Sequence, residues 1–78
     1  MNAASLSKSP RLQRVDRLLS DGAEYSTMQV IQQANVMAVN SIISELRLSG
    51  RVINCRRARD VWYYRRDLAA EKKQRAAA

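Results

Sequence analysis

Three arginines within four positions, Arg56, Arg57 and Arg59, form the densest group of side chains here with an evident chemical use. A guanidinium presents five N–H donors in a fork that matches phosphate oxygens. Carried on a turn, such side chains are long enough to reach a minor groove or its phosphates. Charges also keep a hairpin edge from pairing with another strand, but three arginines exceed what that protection needs. A second group is polar and uncharged: Asn40, Ser41 and Ser44 lie close together on one side of a helix wheel. Asn can pair bidentately with adenine and Ser can bond several bases, so these are the candidates for reading base edges. The alternative for them is an ordinary solvent face.

Other chemistry lacks its parts. The chain has no His and a single cysteine, Cys55. An ordinary zinc site cannot be assembled, an intrachain disulfide is impossible, and a cysteine nucleophile would have no imidazole base. Cys55 reads as a small buried hydrophobe in mid-strand, and the serines form no triad. The expectation is no enzyme, no metal and no cofactor. No apolar run approaches a membrane span, and the opening residues MNAASLSKSP contain no signal-peptide core. With one cysteine, the expectation is a protein of a reducing cytoplasm.

Charge narrows the partner. Fourteen Lys and Arg face seven Asp and Glu, a net charge of +7. Residues 1–49 carry five bases and four acids, whereas residues 50–78 carry nine bases and three acids. A basic end on a near-neutral body points to a polyanion, nucleic acid before an anionic membrane. A membrane is disfavoured because the tail has no basic amphipathic helix with large apolar residues. Part of the excess also serves solubility.

Positioning these groups falls to a short chain. Seventy-eight residues make one small domain, too small for a barrel or an enclosed two-domain cleft. Hydrophobic content is 46% with 5% aromatics and no Phe, so the core is aliphatic. Residues 1–8 read as a flexible N-terminus, 9–66 as the folded domain, and 67–78 as a basic tail, either a frayed helix or disordered. Ser9 and Pro10 give a hydroxyl cap and a first-turn proline, and Leu12, Val15, Leu18 and Leu19 form one stripe up to a stop at Gly22. This predicts helix 1 over 10–20. Ser26 to Gln29 is a capping box opening helix 2, with Met28, Ile31 and Ala34 as its apolar face and Val30 beside it. A turn at Asn35 and Val36 leads to helix 3, whose inward residues are Val39, Ile42, Ile43 and Leu46, ending at Gly50. Residues 51–56 and 61–65 are rich in β-formers around a connector at 57–60, a two-stranded hairpin. Trp62 and Tyr64 are expected to pack on the helices, with Tyr63 on the other side; stacking of these aromatics on single-stranded bases is the less favoured use.

The fold class expected is therefore mainly α with a small β-hairpin: a winged helix-turn-helix of three helices and a two-stranded wing, with an optional C-terminal helix. The segment Thr27 to Ile53 also resembles a family of small winged helix-turn-helix domains found mainly in phage and prophage proteins. The resemblance rests on Thr27 opening helix 2, on Ile43-Ser44-Glu45-Leu46-Arg47-Leu48-Ser49-Gly50, and on Ile53 three residues beyond the glycine. The chain departs from that pattern at Asn35, where the family usually has Gly, and at Ile42, where it often has Arg. Asn tolerates the turn geometry, while Ile42 removes one positive charge from helix 3.

The resemblance implies a sequence-specific, double-stranded DNA-binding protein, acting as a transcriptional regulator or an excisionase-like architectural factor. Helix 3 would read bases through Asn40, Ser41 and Ser44. Arg47, Arg56, Arg57 and Arg59 would meet phosphates or the minor groove, and Arg11, Arg14 and Arg17 would grip flanking backbone. Arg47 has a competing role on the last carbonyls of its helix, and Glu45 is expected to pair with an arginine of helix 1 or the hairpin. A domain this small buries limited DNA surface, so a homodimer or cooperative array is a common solution. The rival is a protein-interaction module that binds a host protein through Met37 and Leu48.

Overall fold

The computed structural model describes residues 9–77, so the expected flexible segment 1–8 lies outside the described residues. Those residues form α1 (Pro10–Leu18), one tight helical turn (Leu19–Asp21), β1 (Tyr25–Ser26), α2 (Thr27–Ala34), α3 (Val39–Leu48), β2 (Ile53–Ala58), β3 (Val61–Arg66) and α4 (Leu68–Ala77). Four α-helices thus accompany a three-stranded antiparallel sheet of order β1-β3-β2.

Local signals account for most boundaries. Ser9 accepts from the Leu12 N–H and Pro10 occupies the first turn of α1. Gly22, at φ 75°, ends the following turn in a left-handed conformation that glycine adopts without steric cost. Asp21 then accepts from the Ala23 N–H and from the Tyr25 hydroxyl, which bends the chain into β1. Ser26 is at once the last residue of β1 and the N-cap of α2, in a complete capping box with Gln29. Asn35 closes α2 at φ 53°, and the Val36 N–H reaches back to the Ile31 carbonyl, as a left-handed helix cap requires.

The turn between α2 and α3 is longer than two residues. Ala38 is also left-handed, at φ 51°, so residues 35–38 all belong to the connection and Met37 stands on the turn, not on the helix. Gly50, at φ 98°, follows α3, and the Arg51 N–H bonds the Leu46 carbonyl around it.

The hairpin is shifted from its expected place. Strand β2 runs to Ala58, which pairs with Val61, leaving a two-residue turn of Arg59 and Asp60. Arg57 is therefore a strand residue, and Arg59 sits in the turn at φ 59°. The sheet gains a third strand because Tyr25 and Ser26 pair with Tyr64 and Tyr63. The tail forms α4, capped by Asp67, whose Oδ1 accepts from the Ala70 N–H.

The core lies between the helices and one face of the sheet. Its buried apolar residues are Leu12, Val15 and Leu19 of the first helical segment, Val30 and Ala34 of α2, Val36, the four inward residues of α3, Ile53 and Tyr64. Two packing expectations are corrected. In α2 the buried positions are Val30 and Ala34, whereas Met28 is 60% exposed. Cys55 is exposed, and of β2 only Ile53 enters the core. Among the described residues no buried side-chain nitrogen or oxygen lacks a partner.

A charged cluster ties the two ends of the fold together. Asp16 of α1 receives Arg51 at 2.7 Å and Arg66 at 3.2 Å. Glu71 of α4, only 4% exposed, receives Arg66 through two bonds of 2.8 Å and the Val52 N–H at 3.0 Å. Burial pushes the Glu71 carboxyl up, but Arg66, the Val52 N–H and Arg51 outweigh it and hold the group below its ordinary value. One carboxylate thus docks a helix that has no apolar stripe.

Candidate nucleic-acid interface

Alternation along the strands decides which side chains accompany α3. Ile53, Cys55 and Arg57 of β2 stand opposite Arg66, Tyr64 and Trp62 of β3, and directly opposed residues share a face. Ile53 and Tyr64 are buried, so this is the face turned to the helices. Arg56 opposes Tyr63 on the other face.

Asn40, Ser41 and Ser44 are all exposed on α3. Asn40 and Ser41 line an open groove of about 430 Å³ with Thr27 and Ile31 of α2, Ala38 and Val39, and Trp62 and Tyr64 of the hairpin. Trp62 is 47% exposed. The expectation for it is packing on the helices; instead it forms the hairpin wall of the groove. Below it the Tyr64 hydroxyl donates to Asn40 Oδ1 at 3.1 Å, and Thr27 Oγ1 lies 3.5 Å from the same hydroxyl.

The arginines divide by what already holds them. Arg56 makes a bidentate pair with Glu24, at 2.6 and 2.7 Å, and stacks 4.6 Å above the Tyr63 ring. The Arg56 guanidinium holds the Glu24 carboxyl below its ordinary value, against a smaller effect of burial. Arg57 donates to the Arg59 carbonyl at 3.0 Å and lies 3.5 Å from Asp60, whose side chain is 98% exposed. Such a contact is weak in water. Arg57 therefore stays available on the groove side, and the Arg59 side chain has no partner among the described residues.

Arg47 does not cap its own helix. It donates to the Ile53 carbonyl at 2.7 and 3.2 Å and to Cys55 Sγ at 2.9 Å, tying α3 to β2. This contact also explains the exposed Cys55: the sulfur rests beside a guanidinium, not among apolar groups.

Of the three α1 arginines, Arg14 donates to the Ala34 carbonyl at 2.8 Å and the Asn35 carbonyl at 3.3 Å. Arg11 pairs with Glu45 at 3.5 Å, the pairing anticipated for that carboxylate. Arg17 is exposed with no ion-pair partner among the described residues.

Partners separated by 20 or more residues, such as Arg14 with Ala34 or Arg56 with Glu24, leave no local mark in the sequence. For Tyr64 the period-2 spacing signals burial but not what its hydroxyl meets.

Among the described residues, no group of three or more His, Cys, Asp or Glu comes together as metal ligands, and no helix is long and apolar enough to cross a membrane. No model of a known family, no curated protein and no solved structure matches this chain.

Proposed function

We propose that this chain is a winged helix-turn-helix protein that binds double-stranded DNA sequence-specifically. It would act as a small phage or prophage transcriptional regulator or an excisionase-like architectural factor. The element order, α1-β1-α2-α3-β2-β3, and the sheet order β1-β3-β2 accord with that fold. The observation that carries the reading is the shared groove: the polar start of α3 and the half-exposed face of an arginine-bearing hairpin meet there without an intervening acid. A helix with its side chains is about 10–12 Å across, and the major groove of B-DNA is about 12 Å wide. With α3 in that groove, Asn40, Ser41 and Ser44 meet base edges. Arg57 and Arg59 meet the flanking backbone or minor groove, and Arg17 extends the basic footprint.

Fluorescence anisotropy with a random duplex of about 20–30 base pairs, at several salt concentrations, tests this directly. A steep linear fall of log affinity with log salt, followed by selection of a preferred site, is the expected outcome. Absence of binding at low salt overturns it. A second reading, a module that docks on a host protein, is favoured by one observation: Met37 and Leu48 are 82% and 76% exposed. Replacing both with Ser would abolish a protein partner while leaving DNA affinity intact if that reading holds.

A further inference from the structure

We infer that Tyr64 sets the base preference of this interface by fixing which half of the Asn40 amide faces the DNA. The inference rests on the DNA-binding reading. Tyr64 is 4% exposed and belongs to the core, yet its hydroxyl reaches the exposed Asn40 in the first turn of α3. Oδ1 of an amide can only accept, so the phenol proton must point to it. Thr27 Oγ1, 3.5 Å from the same hydroxyl and 3.4 Å from the Trp62 carbonyl, flanks the phenol from α2. Three elements, α2, β3 and α3, therefore hold one amide in one orientation.

That orientation has a chemical consequence. A free Asn offers a donor and an acceptor side by side, the pattern that pairs with N7 and N6 of adenine. Here Oδ1 is engaged by Tyr64, while Nδ2 has no partner among the described residues. Accepting a bond at the oxygen polarises the amide and strengthens Nδ2–H as a donor. Tyr64 takes one of the two Oδ1 lone pairs and turns the oxygen toward the buried phenol, so Nδ2 is the half of the amide left for the DNA and Asn40 acts there as a donor. The base presenting two adjacent acceptors, N7 and O6, in the major groove is guanine. Tyr64 is a positioning residue that acts through Asn40, and guanine is the base this pair selects.

The experiment is site selection from a randomised duplex pool by wild type, Tyr64→Phe and Asn40→Ala, with unfolding midpoints measured for each. Wild type is expected to select guanine at one position by about tenfold. Asn40→Ala, at an exposed site that leaves the core untouched, should lose selection at that position alone. Tyr64→Phe should shift the same position toward adenine with its salt slope unchanged; a general loss of stability would not single out one base pair. If Tyr64→Phe does not fold, Thr27→Val and Asn40→Ala still report which position and base are read. Selection of adenine by wild type, an unaltered preference in Tyr64→Phe, or no sequence preference at all overturns the inference while leaving DNA binding standing. Failure of wild type to bind any duplex overturns the DNA reading itself.

Discussion

Arg14 Nε donates across 2.8 Å to the carbonyl of Ala34, so a side chain of the first helix closes the last turn of the second. The Asn35 carbonyl, at 3.3 Å, shares the same guanidinium. The last carbonyls of a helix have no intrahelical partner, and here α1 supplies one at the turn that aims α3. Arg14→Ala should destabilise the fold by about 1–3 kcal/mol, the range for bonds to charged groups. Urea denaturation would measure this. On the proposed DNA-binding reading, the salt slope should stay within about half a unit of wild type, because Arg14 is spent inside the domain.

Glu71→Gln should be the more damaging single change near the C-terminus. It leaves Arg66 with only Asp16 for charge compensation, in a site where its own side chain is 11% exposed. Removing one partner of a buried pair costs about 3–5 kcal/mol in general. With Asp16 still present, about 2–4 kcal/mol is expected by chemical denaturation. Circular dichroism should show partial loss of α4 before the rest melts.

Below about pH 8, stability should depend on pH only in acid. Glu71, Glu24, Asp21 and Asp67 are all held below their ordinary values: Glu71 as described, Glu24 by Arg56, Asp21 by the Ala23 N–H, and Asp67 by the Ala70 N–H. A lowered folded value means that the stabilisation is complete above the unfolded value and is lost as pH falls through the folded one. Thermal midpoints should therefore be level from about pH 8 to 5 and fall below about pH 4.5. With no His in the chain, no side chain with an ordinary value near neutrality interrupts that plateau. Glu71→Gln should blunt the acid fall, since the other three carboxylates face solvent and are screened.

The hairpin arginines should separate in salt titrations. If the chain binds DNA as proposed, replacing Arg57 and Arg59 together with Ala should weaken binding to all sequences and lower the salt slope by at most about two units. Arg56→Ala should change it by less than about half a unit, because Arg56 is paired with Glu24 on the opposite face. An unchanged slope in the double variant would remove the hairpin from the interface.

Helix starts and stops were legible because each is written within four residues: Ser9 with Pro10, Ser26 with Gln29, Asn35, Gly50. The same locality explains what was not. Two residues of β1 have no period to detect, and they become a strand only by pairing with Tyr63 and Tyr64 far along the chain. In an eight-residue α2 the wheel does not fix which edge faces α1, so Met28 and Val30 exchanged roles. For α4 the anchoring group is a carboxylate, invisible to any search for an apolar stripe. At the proposed interface, Asn40, Ser41 and Ser44 were legible as an exposed face, whereas the division of arginines between inner bonds and solvent depends on partners in other elements.

Glu71 also bears on where the chain can be shortened. Among the described residues every buried apolar residue, from Leu12 to Tyr64, precedes it. A chain cut after Arg66 would retain all of them, yet Arg51 and Arg66 would have only Asp16 between them. A complete apolar core is therefore not the same thing as a complete fold: the last charge that balances this cluster lies in the segment with the least apolar surface to bury.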